Sequence, residues 1–180
     1  MVKLIYFVHG TTTDNADKLC SGWKQAMLND LGKEQAVNLG NVSRERGDKF
    51  DVIITSDLNR AIESSHLAFP KENKLVDSRL RECNYGDFDG KHKSFVKYEE
   101  HIEEPFPNGE SLIDVENRMR EFLDFIIQNY NGKTIGIVAH RAPQLALDVI
   151  VKGMTWEDAI AGDWRKTGDW QPGWEYNIKD

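Results

Sequence analysis

Two short apolar runs that each end on a histidine constrain this chain more than any other feature. Leu4-Ile5-Tyr6-Phe7-Val8 leads into His9, and Thr134-Ile135-Gly136-Ile137-Val138-Ala139 leads into His140. A third run, Asp51–Thr55, and a weaker one, Lys74–Val76, have the same character. They are rich in β-branched residues and do not alternate strictly with polar ones, the pattern of parallel strands covered on both faces.

Helical patterns lie between these runs. Gly32–Arg46 carries Ala36, Val37 and Leu39 among charged residues, and Leu58–Ala68 carries Leu58, Ala61, Ile62 and Leu67. Over Ser111–Asn129 the residues Leu112, Val115, Met119, Phe122 and Ile126 keep a three-to-four spacing behind the capping pair Ser111 and Asp114. Pro143 fits the first turn of a last helix over Gln144–Lys152, where its missing N–H costs nothing. Strands alternating with helices predict an α/β fold: a three-layer α/β/α sandwich around a mostly parallel central sheet, as a single domain over residues 1–180. Asp77–Asn108 reads as a long loop or lid beside the site. No regular element is evident in the Trp- and Gly-rich stretch Trp164–Tyr176.

Composition narrows the function. Apolar and charged fractions of 39% and 29% are ordinary for a globular protein. A formal charge of −7 argues against a partner such as nucleic acid or a membrane surface, and it requires any anion site to gather its cations locally. The first apolar run is too short for a signal-peptide core or a membrane span, so a cytoplasmic protein is expected, with Cys20 and Cys83 as reduced thiols. No HExxH helix or cysteine cluster is present, and His66, His92 and His101 are scattered, so neither a metal nor another cofactor is expected. A Gly-rich phosphate loop and a Gly-x-Ser-x-Gly elbow are absent too.

Open α/β sheets bind ligands outside the carboxyl ends of their strands, where His9 and His140 both fall. Imidazole is nucleophilic when neutral and stabilises anionic charge when protonated. In Ser56-Asp57-Leu58-Asn59-Arg60-Ala61, Arg60 stands just inside a helix that follows a strand, a place from which its planar fork can face phosphate oxygens.

Six blocks in order resemble the histidine phosphatase superfamily, with its phosphoglycerate mutase-like fold. They are Val8-His9-Gly10-Thr11 with Asn15, Ser21-Gly22-Trp23 before Leu28–Gly32, Ser56–Ala61, Leu80-Arg81-Glu82 with Gly86–Gly90, Pro107–Ser111 followed by Arg118, and Val138-Ala139-His140-Arg141. The resemblance implies that His9 attacks phosphorus and forms a phosphohistidine, while Arg60 and His140 contact the equatorial oxygens. Asn15, Ser21 and backbone N–H groups near Gly22 would add neutral donors. Glu82 would protonate the leaving oxygen and later deprotonate the attacking water.

Two positions depart from the family pattern. Val8 stands where the family has arginine, and Arg141 stands where it usually has glycine. A cation has gone from beside one histidine and come beside the other, so Arg141 is expected to reach the phosphate from the opposite side. Without such a replacement, loss of one clamp from an intact site costs on the order of 10²–10³ in rate. Mutases of this superfamily generally carry a long insertion between the acid and the second histidine, and Glu82 to His140 has room for little more than a loop and one helix. The expected function is therefore hydrolysis of a small phosphorylated metabolite. A weak or inactive phosphate-binding pseudoenzyme and a phosphoglycerate-type mutase are the alternatives. Trp164, Trp170 and Trp174 are candidates for a substrate wall or for packing against the domain. Oligomeric state is left open.

Overall fold

A computed structural model describes residues 1–167 and 173–179 of the chain. Strand β1 (Val2–Val8) is followed by a single turn of helix, α1 (Thr13–Ala16), and by α2 (Asp30–Glu45), whose N-cap Asn29 accepts the Gly32 N–H. Next come β2 (Val52–Thr55), α3 (Asn59–Ala68) and the short β3 (Lys74–Val76). The later elements are α4 (Leu112–Asn129), β4 (Thr134–Ala139), α5 (Arg141–Lys152), α6 (Trp156–Ala161), α7 (Trp164–Thr167) and β5 (Trp174–Ile178). The strands form one sheet in the order β3-β2-β4-β1-β5, parallel throughout except that β5 runs antiparallel to β1.

Side-chain alternation along β1 builds the two covered faces. Ile5 and Phe7 pack with Leu39 of α2 and with Ala68 and Phe69 at the end of α3. Val2, Leu4 and Tyr6 turn the other way, into a larger cluster with Val115, Met119 and Phe122 of α4 and Leu145 and Ala146 of α5. The helix after β1 therefore covers one face and the helix after β4 the opposite one. These two strands are neighbours, so the chain parts between their carboxyl ends and leaves a crevice there.

Three sequence expectations change. The helix expected over Gln144–Lys152 begins at Arg141, because the carboxylate of Glu82 accepts the N–H groups of Arg141 and Ala142 and caps the first turn. The stretch left unassigned at Trp164–Tyr176 contributes α7 and most of β5. Trp174 lies buried in β5 opposite Tyr6, and Trp170 falls outside the described residues. Asp77–Asn108 is irregular as expected, but it is no lid. It holds four 3-10 turns, and Leu80, Cys83, Tyr85, Tyr98 and Phe106 along it are buried in the core, which fixes it as one wall of the crevice. No described helix is long and apolar enough to cross a membrane.

Candidate active site

A cavity of about 820 Å³ opens at the carboxyl ends of β1 and β4, and its lining includes His9, Asn15, Ser21, Arg60, Glu82 and Arg141. His9 follows β1 directly and is tied to the neighbouring strand through its backbone N–H, which donates to the Ala139 carbonyl at 3.1 Å. The next residue donates its N–H to Ser64 Oγ at 3.1 Å, and Ser64 donates in turn to the Arg60 carbonyl at 2.7 Å. The histidine loop is thus fastened to α3. Gly10 also sits against Gly32 at the start of α2, where a Cβ would lie 2.2 Å from the Gly32 carbonyl oxygen. Only glycine permits that approach.

The tautomer of His9 follows from its partner. Nδ1 lies 2.7 Å from the Gly10 carbonyl, which can only accept, so Nδ1 carries the hydrogen and Nε2 keeps the lone pair. Burial, reinforced by the Arg60 charge, lowers its pKa from 6.5 to about 3. A neutral imidazole with its lone pair on Nε2 is the nucleophilic form. The His140 ring stands edge to face with it, 5.0 Å between centroids. His140 is fully buried, and neither ring nitrogen has a hydrogen-bond partner among the described residues. Burial first, then the charge of Arg60, pushes its pKa well down as well. A buried ring with both nitrogens unpaired is costly; His140 lies behind His9 and is not itself among the residues that line the cavity.

Arg60 is 1% exposed. Its Nη1 donates to the Lys24 carbonyl at 3.0 Å, and Nη2 donates to the carbonyls of Ser21 and Gly22 at 2.7 Å each. This bracing shapes the turn at Ser21–Lys24 while the guanidinium lines the cavity. Burial depresses its pKa, and the charges of Glu82, Tyr85, Asp89 and Asp14 oppose that shift.

Glu82 accepts four hydrogen bonds. Oε1 takes Cys83 N–H at 2.9 Å, Ala142 N–H at 2.9 Å and the Tyr98 hydroxyl at 3.2 Å. Among the described residues Oε2 takes only Arg141 N–H, at 3.1 Å. A carboxylate oxygen has two lone pairs, so Oε2 is the oxygen with room for a proton. Arg118 holds this segment from below, donating to the carbonyls of Arg79, Arg81 and Glu82 and pairing with Glu110.

The expected neutral donors are placed unevenly. Asn15 lines the cavity with its Oδ1 accepting Thr12 N–H at 3.0 Å, which leaves its amide NH₂ as the donor. Ser21 lines it too, although its hydroxyl donates to Asp14 at 2.7 Å. The backbone N–H groups at Gly22 are not brought to the site: Gly22, Trp23 and Lys24 all donate to the carboxylate of Asp89, and Gly22 is absent from the lining. Asp89 thus takes the N–H groups that were expected to meet a ligand. Arg141 lies over the Tyr98 ring at 4.1 Å and pairs with Asp163 through Nε. Burial alone would lower its pKa; Tyr98 and Asp163 more than reverse this. Trp164, Arg165 and Lys166 of α7 also line the cavity, together with Tyr85 and Lys93. Arg165 and Lys166 were not foreseen, since a four-residue helix has no periodicity to read. His66 and His92 are exposed, and His101 stacks on Phe106 away from the cavity. Among the described residues no group of three or more His, Cys, Asp or Glu side chains is arranged to hold a metal ion.

Comparison with known proteins agrees with this geometry. The profile of the histidine phosphatase superfamily (branch 1) matches residues 5–172. The 2,3-bisphosphoglycerate-dependent phosphoglycerate mutase of Chelativorans sp. (strain BNC1) is 30% identical, over 87% of this chain and 84% of its own. That of Tropheryma whipplei (strain Twist) is 30% identical over 78% of each. Among solved structures, a mycobacterial glucosyl-3-phosphoglycerate phosphatase in complex with VO3 superimposes with a TM-score of 0.80 at 25% identity, covering 88% of this chain and 86% of that one. The alpha-ribazole phosphatase of Shigella flexneri gives 0.76 at 25%, covering 88% and 84%. With His9, Arg60 and Glu82 drawn from separate elements to one crevice of this fold, His140 packed against His9, and the family profile matching most of its length, the chain belongs to the histidine phosphatase superfamily.

Proposed function

We propose that the chain is a phosphomonoester hydrolase acting through a phosphohistidine at His9 on a small phosphorylated metabolite. The observation that carries this reading is the state of His9: neutral, its Nδ1–H committed to a backbone carbonyl and its Nε2 lone pair free, beside Arg60 and the unpartnered His140. In the first step Nε2 bonds to phosphorus as the bond from phosphorus to the leaving oxygen breaks, and Glu82 delivers a proton from Oε2 to that oxygen. Arg60, His140 and the amide of Asn15 take up charge on the remaining oxygens, with Ser21 and Arg141 at the same cavity. In the second step water attacks phosphorus, Glu82 takes its proton, the P–N bond breaks and phosphate leaves.

Hydrolysis is favoured over transfer by the compact span between Glu82 and His140, which holds 3-10 turns, α4 and β4 and adds no separate cap. The likeness to phosphatases of known structure supports the same choice. The curated relatives named as mutases favour the second reading, transfer between positions of a phosphoglycerate. Incubation with p-nitrophenyl phosphate without metal, then trapping of acid-labile phosphoprotein, tests the proposal. Turnover with label on His9 is expected. A folded sample with neither is a binder, and label followed by transfer between substrate positions is a mutase.

A further inference from the structure

Besides Arg60 and Arg141 the cavity is lined by a third arginine, Arg165, and Arg141 and Arg165 share one anion. Arg141 Nε donates to Asp163 Oδ2. Arg165 Nη1 donates to Oδ1 at 3.2 Å, and the Arg165 backbone N–H donates to the same oxygen at 3.0 Å. The Asp163 side chain is 0% exposed. Two guanidiniums less one carboxylate leave one positive unit at this wall, in a protein whose overall charge is negative. Lys166 adds nothing to that surplus, because Glu99 meets it at 2.6 Å.

The two arginines are not equivalent. Arg141 is stacked on Tyr98 and packed into the first turn of α5, bonding Asp163 through Nε with Nη1 and Nη2 unengaged among the described residues. Arg165 sits over the Trp164 ring at 4.6 Å with 28% of its side chain exposed, and among the described residues nothing engages its Nε or Nη2. The neighbouring Trp164 Nε1 is buried without an acceptor among the described residues, although Trp164 lines the cavity. The field of Arg165 reaches both imidazoles: after burial and Arg60 it is among the charges that keep His9 and His140 neutral.

We propose that Arg165 contacts the non-bridging oxygens of the phosphoryl group carried by His9, in the place of the arginine missing before that histidine, and that Arg141 is a positioning residue holding Asp163 and, through it, Arg165. The proposal rests on the phosphohydrolase reading above. The Nε and Nη2 donors left to Arg165 suit this task, and they arrive from α7 rather than from β1. Arg141 then does not itself restore the lost clamp, as its place in the sequence suggested.

Binding of inorganic phosphate and of orthovanadate by titration calorimetry, beside turnover of p-nitrophenyl phosphate, tests this on the full chain. Arg165→Ala should weaken phosphate binding about tenfold or more and lower kcat on the order of 10²-fold, with Arg165→Lys recovering part of both. Arg165→Gln keeps a donor for Asp163 while removing the charge, and should behave like the alanine variant with an unchanged melting temperature. Arg141→Ala should lose less than Arg165→Ala, and Arg141→Lys, which keeps the pair with Asp163, should recover most of it. Phosphate affinity and kcat within twofold of wild type in Arg165→Ala overturn the proposal, as does a larger loss in Arg141→Ala, which returns the role to Arg141. Wild-type protein that neither binds phosphate nor labels on His9 defeats the phosphohydrolase reading itself, a distinct result.

Discussion

The imidazoles of His9 and His140 stand edge to face at 60°, and burial with the Arg60 charge keeps both neutral. A neutral pair this close is expected where one ring attacks an anion and the other receives it. In ¹⁵N spectra His9 should remain the Nδ1–H tautomer from pH 8 down to about 4, since its pKa is lowered to about 3. A His9 resonance titrating near 6.5 would contradict the geometry.

The same shift makes stability pH-dependent. The unfolded chain binds a proton at His9 below about 6.5, while the folded chain resists it down to about 3. Stability from His9 is therefore complete above 6.5 and falls as pH drops toward 3; His140 acts in the same direction. Urea midpoints at pH 7 and pH 4.5 should move apart in wild type and by less in His9→Asn. An equal displacement in both proteins would assign the effect elsewhere.

Arg60 is structural as well as catalytic in this reading. Arg60→Ala leaves the carbonyls of Lys24, Ser21 and Gly22 without their donor, and should cost about 2–5 kcal/mol. Arg60→Lys restores charge but not the fork, so phosphate affinity should stay low in both. Denaturation curves and phosphate titration read these separately, and full phosphate affinity in either variant would remove Arg60 from the site.

Glu82 caps α5 and is the proposed acid. Glu82→Gln turns one acceptor oxygen into a donor facing N–H groups, at about 1–3 kcal/mol. If Oε2 carries the proton to the leaving group, alkyl phosphates should lose far more turnover than p-nitrophenyl phosphate, whose leaving group needs little protonation. Equal losses on both substrates would reduce Glu82 to a helix cap.

Gly32 sets two effects against each other. Alanine gains about 1 kcal/mol of helix propensity inside α2, yet its Cβ would lie 2.0 Å from the Thr11 carbonyl oxygen. Backbone crowding of that degree costs about 1–3 kcal/mol or more, so Gly32→Ala should be less stable and should displace the His9 loop. A raised melting temperature would show that the loop yields freely.

The strands were legible because buried parallel strands announce themselves as apolar runs, and two of them deliver His9 and His140 to one edge. Arg60 and Glu82 were legible through the blocks around them. The end of the chain was not. Trp174, Tyr176 and Ile178 are buried while Glu175 and Asn177 are exposed, the alternation of an antiparallel strand, but the preceding Gly and Trp residues hide it. Arg165 escaped for a different reason: it bonds Asp163 two residues away, but Asp163 is shared with the distant Arg141, a link that no local pattern encodes. The capture of the Gly22 N–H by Asp89 is equally non-local.

Strand β5 has a consequence for how the sheet ends. Lys3 to Tyr6 pair on one side with the parallel β4 and on the other with the antiparallel β5. Without β5, β1 would be a bare sheet edge, a template for joining other chains. With β5 in place the edge strand carries the exposed Glu175 and Asn177 between buried side chains, and a charged edge resists the addition of a further strand.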